Sequence, residues 1–268
     1  MKKKSTVAAP LLALALAGTA PVATQAQGMG SGWQFEAALY GWFPAISGNI
    51  SYPDGGGSSI DLNTGDVLDA LKFAFFTAFQ ARNGEWGLFT DIAYADLGDS
   101  KSGSRDFTIG GQPVAGVTAN LDLDVKSWIW TIAGTYQLKN DDAASMDLLF
   151  GARMFDMTTR LRWSLNGSGG NLARSGESEV DGTNWDAVIG LKGRAYLGQD
   201  RKWFVPYYAD IGAGESKLTW QINAGVGYQF DWGALVASWR YLDYDFKSDS
   251  HIQEQSFSGP LVGVVFKF

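Results

Sequence analysis

The sequence predicts an all-β chain: a membrane-spanning, antiparallel up-and-down β-barrel of about ten strands, with eight or twelve left open. Three observations carry that expectation. Apolar residues alternate one by one with small or polar residues in at least eight segments, the period of a strand with two unlike faces. Short polar breaks and long Gly/Ser/Asp-rich breaks alternate strictly between those segments. The chain also closes on an alternating stretch, Gly259 to Phe268, that runs to its last residue, whereas most termini fray.

The first residues read as a leader. Met1-Lys2-Lys3-Lys4 is basic, Val7 to Leu16 is apolar, and Thr24-Gln25-Ala26 offers small residues before a cleavage point. Residues 1–26 are therefore expected to be a signal peptide cut after Ala26, and 27–268 the barrel. A membrane anchor is the competing reading, but the apolar run falls far below the ~20 residues of a spanning helix. No later segment reaches that length without charges, which excludes a helical inner-membrane protein.

Composition agrees. The chain holds 11 Trp, 10 Tyr, 16 Phe and 34 Gly at near-neutral mean hydropathy, as expected when apolar and polar faces alternate. It has no cysteine, hence neither disulfides nor thiolate metal sites. Its 21 basic and 28 acidic residues give a net charge of −7; losing Lys2, Lys3 and Lys4 leaves 18 basic residues and −10. Nucleic-acid binding needs a basic footprint and is excluded.

Reading between the breaks gives strands near 33–52, 72–82, 86–98, 119–138, 144–165, 184–198, 202–213, 218–231, 233–247 and 255–268. Pro44 and Gly48 threaten to split the first. In the strand from Leu218, one face holds Trp220, Ile222, Ala224, Val226 and Tyr228, and the other Gln221, Asn223, Gly225, Gly227 and Gln229. Trp185-x-Ala187-x-Ile189-x-Leu191 and Leu71-x-Phe73-x-Phe75-x-Thr77-x-Phe79 repeat the pattern. The apolar sides face lipid and the polar sides the lumen. Several strands exceed the ~9–11 residues needed to cross a bilayer, so their outer ends are expected to project beyond it.

Asn83-Gly84-Glu85, Asn140-Asp141-Asp142, Gln199-Asp200-Arg201 and Asp231-Trp232-Gly233 make the short turns, expected on the periplasmic side. Pro53 to Ala70, Asp99 to Thr118 and Asn166 to Thr183 make the long outer loops, with shorter ones around Gly214-Glu215-Ser216 and Ser248 to Glu254. Within the first loop, residues 64–71 place Val67, Leu68 and Leu71 at helical spacing, with Thr64 as a cap and Asp66 in the first turn. Either one helical turn in a loop or a short plug in the barrel mouth fits.

Leu39-Tyr40-Gly41-Trp42-Phe43-Pro44, Trp86-Gly87-Leu88-Phe89-Thr90-Asp91, Trp239-Arg240-Tyr241-Leu242-Asp243-Tyr244 and the terminal Phe-x-Phe carry a resemblance. Over roughly residues 33–268 the chain resembles the small Gram-negative outer-membrane β-barrel proteins, OmpA-like and OmpW-like in the broad sense. It looks most like barrel proteins without an assigned role. The resemblance implies residence in the cell outer membrane after export across the inner membrane. It also implies an assembly signal at Gly263, Phe266 and Phe268, although Leu261 stands where such signals usually carry a polar residue. The implied partners are outer-membrane lipid and lipopolysaccharide, the barrel-assembly machinery and periplasmic chaperones. No active site is carried across, and oligomeric state stays open.

The lumen is the first place to look for chemistry. Opposite the apolar faces, Glu36, Arg82, Asp91, Arg153, Asp186, Lys192, Arg194, Asp210 and Arg240 point inward. Small barrels fill their interior with side chains, so a network of ion pairs is one reading; a narrow polar pore is the other. In a pore, Glu36, Asp91, Arg153, Asp186, Lys192, Arg194, Asp210 and Arg240 would line it, four acids against four bases, and the acidic outer loops would add a mild cation preference.

His251 is the one histidine. Asp249-x-His251 with Asp243-x-Asp245 resembles the omptin outer-membrane proteases, but both pairs fall on one strand-loop junction instead of facing each other across a barrel. Gly167-Ser168-Gly169-Gly170 lacks the Lys-Ser/Thr of a phosphate loop, and the loop acids lack calcium-loop spacing. The expectation is a structural outer-membrane barrel or a narrow porin-like channel for small polar solutes. No catalytic residue, cofactor or metal is expected. A rim enzyme and a loop-borne adhesion protein are the alternatives.

Overall fold

Strict alternation becomes twelve strands and one short helix among the described residues of the computed structural model: 32–51, 57–109, 112–166, 174–247 and 252–268. The expected signal peptide with its cleavage point, His251, and Gly167 to Gly170 lie outside them. In chain order the elements are β1 (Trp33–Trp42), β2 (Ala45–Ser51), β3 (Gly57–Leu62), α1 (Thr64–Ala70), β4 (Leu71–Asn83), β5 (Trp86–Ile109) and β6 (Gln112–Asn140). There follow β7 (Ala144–Asn166), β8 (Arg174–Leu197), β9 (Trp203–Gly214), β10 (Ser216–Gln229), β11 (Ala234–Phe246) and β12 (Ile252–Lys267).

β1 and β4 to β12 pair in sequence, and β12 pairs back to β1, so ten antiparallel strands close a barrel. Closure runs from Glu36 opposite Lys267 to Trp42 opposite Leu261. It reaches the last residue, where Phe35 and Phe268 exchange backbone hydrogen bonds of 2.9 and 3.0 Å. Closure removes both sheet edges, the condition for a sheet in lipid.

The strand expected over 33–52 is two. Pro44 has no N–H to give to a ladder, and the chain breaks at Phe43-Pro44. β1 pairs with the terminal half of β12 and β2 with its outer half. The break passes so close to Gly259 that a Cβ there would stand 2.2 Å from the Phe43 carbonyl oxygen. β3 then pairs along β2, so part of the expected loop from Pro53 to Ala70 is strand. The rest is α1, capped by Asn63 and not by Thr64. The Asn63 side chain accepts from the Gly65 and Asp66 amides, and Asp66 accepts in return from the Asn63 amide, a capping box. The Thr64 hydroxyl donates instead to the Phe43 carbonyl at 3.3 Å. α1 buries Val67 and contacts β2, β3 and β5 at the outer end.

The expected loops after Asp99 and Asn166 are also largely strand. β5 and β6 stay paired to Ile109 opposite Gln112, and β7 and β8 to Leu165 opposite Arg174. Backbone pairing needs no apolar side chains once the strands leave the bilayer, so alternation fades there while the ladder continues. The opposite turns are tight. Gly84, at φ 63°, turns β4 into β5. The Ala144 and Ala143 amides donate to Asp141, which holds that carboxylate below its ordinary pKa.

Outward positions form an apolar band between two aromatic girdles. Toward the short turns Trp86 packs on Tyr136 and Trp203 on Tyr228; toward the outer end Tyr94 packs on Trp128 and Trp220 on Tyr241. Tyr94 follows Trp86 by eight residues, as Tyr136 follows Trp128 and Tyr228 follows Trp220. At ~3.3 Å per residue and a tilt of ~40°, eight residues span ~20 Å of bilayer, near the ~25 Å expected of such a band. Trp130 satisfies its indole N–H on this apolar face through the Thr90 hydroxyl, at 2.8 Å.

Candidate functional site: the barrel interior

Every second residue of each barrel strand projects into the ring, and side chains from opposite walls meet there. At the outer end the inward residues are apolar. Trp42, Ala93, Ile129, Phe155, Leu242, Tyr244, Phe246, Phe257 and Leu261 form one buried cluster, with Tyr40, Ile46, Phe76 and Met157 against it. β7 and β12 stand five strands apart in the ring of ten, on opposite walls. Phe155 of β7 nevertheless reaches Phe257 of β12, with ring centroids at 6.0 Å, and Tyr244 of β11 at 4.9 Å.

Below the aromatics lies a layer of fully buried charge. Arg153, with 0 % exposure, pairs with Asp210 and donates to Thr131 at 3.2 Å and Thr219 at 3.4 Å. The Tyr208 hydroxyl donates to the same Asp210. Arg240, 2 % exposed, pairs with Asp91 at 3.0 Å and donates to Gln221 at 2.7 and 3.0 Å and to the Tyr40 hydroxyl at 3.1 Å. Tyr40 donates in turn to Asp91 at 2.8 Å, and the Arg240 guanidinium stacks over Trp42 at 4.6 Å. Asp186 accepts from the Ser216 amide and the Asn184 side chain, each at 2.8 Å. A buried ion left alone costs several kcal/mol, so neighbours that use so many donors and acceptors are what allow these charges to sit here.

Nearer the short turns the interior opens into a cavity of about 690 Å³. Arg194 of β8 bridges the whole diameter to Glu36 of β1 at 2.5 Å. Lys192 donates to Gln80 at 2.6 Å and sits 3.9 Å above the Phe89 ring. Arg82 pairs with Asp147, which also accepts from Gln80 at 3.2 Å.

No protein-family model and no curated protein matches this chain in sequence. Solved structures match it in fold. The outer membrane protease OmpT from Escherichia coli superposes with a TM-score of 0.52 at 11% identity, over 90% of this chain and 99% of that one. The fold is that of an outer-membrane β-barrel. The translocator domain of autotransporter NalP from Neisseria meningitidis gives 0.43 at 15% identity, covering 90% of each chain. Ail, the attachment invasion locus protein of Yersinia pestis, gives 0.32 at 11%, covering 89% of this chain and all of that one.

All eight charges expected to line a pore, Glu36, Asp91, Arg153, Asp186, Lys192, Arg194, Asp210 and Arg240, lie inside this outer-membrane-type barrel. Six of them form three of its ion pairs. Gly263 faces the interior beside Tyr40, whereas Phe266 and Phe268 lie on the outer face, packed near Trp232 at 5.9 Å and on Phe35 at 6.0 Å. Asp243 and Asp245 project outward, where Tyr241 donates to Asp243 at 3.1 Å and Lys217 pairs with Asp245 at 3.2 Å.

Sequence reasoning missed the inward aromatics and the partners Tyr40, Asp147 and Tyr208, while Gln221 stands on the inner face as expected. Phe75-Phe76 and Met154-Phe155 did carry a signal: adjacent apolar residues mean that both faces are apolar at that height. Asp147 was hidden because its inward neighbour Leu149 is apolar and fully buried.

Proposed function

We propose that this protein is an integral outer-membrane barrel whose interior is sealed, serving a structural role and not as a standing pore. The meeting of Phe155 and Phe257 across the barrel carries this reading. Between these aromatics and the Arg153 and Arg240 pairs, two successive layers of buried side chains cross the lumen. The girdles and the fold support membrane residence, and the signature at Gly263, Phe266 and Phe268 supports recognition by the assembly machinery. The short turns then face the periplasm and the long hairpins the outside. The channel half of the expectation is weakened, because six of the eight charges meant to orient solute are paired with one another. We assign no catalytic activity, since Asp243 and Asp245 face away from the interior.

Planar-bilayer recording of refolded protein tests the reading. The expected record shows membrane insertion without discrete conductance steps at high salt. Reproducible steps from the unaltered protein, with cation or anion selectivity, would overturn it.

A further inference from the structure

The cavity at the turn end is blind on the reading above, yet it is large enough for a small organic ligand. Its wall carries Arg82, Lys192, Arg194, Arg240 and Lys267 against Glu36, Asp91 and Asp147, an excess of two positive charges in a chain whose net charge is −7. Arg194 with Glu36, Arg82 with Asp147 and Arg240 with Asp91 are mutually neutralised. Lys192 and Lys267 form no ion pair among the described residues. Glu36 is already bound by Arg194, and Lys267 stands directly opposite it in the β1–β12 register. Buried polar atoms of the same wall also lack a hydrogen-bond partner among the described residues: the donors Arg82 Nη1 and Ser238 Oγ, and the acceptors Asn223 Oδ1 and Asp147 Oδ1. Phe89, Tyr40, Leu261 and Val265 supply apolar surface between these groups.

We propose that this cavity binds a small organic anion, a carboxylate or phosphate on an apolar body, held by Lys192 and Lys267 and entering from the short-turn end. The two ammonium groups supply the charge, since Arg194 spends its own on Glu36. The Phe89 and Tyr40 rings take the body, and Ser238 Oγ and Arg82 Nη1 donate orienting hydrogen bonds. The inference rests on the sealed-barrel reading only for the direction of entry.

Calorimetric titration of the full refolded chain in detergent micelles tests it, with phenyl phosphate, benzoate, inorganic phosphate and benzyl alcohol as probes. Phenyl phosphate or benzoate should bind saturably, inorganic phosphate more weakly, and benzyl alcohol not at all. Whichever of the first two binds tighter identifies the headgroup. Lys267→Gln, at the exposed rim, and Lys192→Gln, which retains a hydrogen-bonding group for Gln80, should each weaken binding about tenfold, the scale of one charge-assisted hydrogen bond. Lys126→Gln on the outer face should leave it unchanged. Heat-modifiable migration establishes folding, and Lys267→Gln carries the test if Lys192→Gln does not fold. No saturable anion binding, equal binding of benzyl alcohol, or an unaltered affinity in Lys267→Gln would overturn the proposal. Conductance is read separately, so a barrel that conducts yet binds phenyl phosphate sinks the sealed reading and keeps this one.

Discussion

Arg194 on β8 and Glu36 on β1 stand on opposite walls of the ten-stranded ring and are joined by an ion pair of 2.5 Å through its centre. Arg240 to Asp91, at 3.0 Å, and Arg82 to Asp147 make further braces at other positions in the interior. Side chains thus tie together walls that the backbone ladder joins only through their neighbours.

The braces should be costly to break from one side. Arg240→Met leaves Asp91 buried beside Tyr40 without its cation, and a loss of about 3–5 kcal/mol is expected. Lys217→Met, which removes an exposed partner of Asp245, should cost about 0–1 kcal/mol. Denaturant titration of both variants in lipid vesicles checks the contrast.

Phe155 and Phe257 should be coupled. Each substitution to Ala should destabilise the barrel by about 3–5 kcal/mol through cavity formation. The double variant should lose less than the sum, because the second truncation removes a contact already gone. Additive losses in a double-mutant cycle would show that the two rings do not support each other.

Depth in the bilayer should set the cost of charge on the outer face. Ala224 lies midway between the girdle residues Trp220 and Tyr228. Ala224→Arg should therefore cost about 2–4 kcal/mol, and Val226→Arg less. Asn223→Gln, on the inner face, should be nearly neutral. The same vesicle titrations, ranked by position, provide the measurement.

Assembly and stability should separate at the two ends of β12. Phe268→Asp is expected to reduce the amount of heat-modifiable folded barrel in cells while leaving the refolded protein nearly as stable, since Phe268 is 69 % exposed. Phe257→Ala should do the reverse: normal assembly, lower unfolding midpoint. Quantifying folded protein in cell envelopes beside in vitro unfolding distinguishes the two.

Much of the architecture was legible in the chain. Trp220 and Gln221 fall on opposite faces because successive strand residues must, and that period survives any tertiary arrangement. The outer hairpins were not legible, because beyond the bilayer a Gly/Ser/Asp-rich strand pairs through its backbone alone and leaves no hydropathy signature. Asn63 was passed over as the helix cap because Thr64, Asn63 and Asp66 all suit that turn, and only the backbone path selects among them.

By itself, then, the sequence determined which side chains face lipid and which face inward and where the short turns lie, and it put the wall at about ten strands, a number that ring closure settled. Local chemistry suffices for that, since lipid solvates one face of every strand independently of its neighbours. Whether the interior is a conduit depends on which inward residues reach one another across it, and that follows from strand number, tilt and register together. Only the closed ring brought Phe155 to Phe257 and Arg194 to Glu36, and left Lys192 and Lys267 over an open cavity, because contacts across a barrel join residues that no local pattern relates.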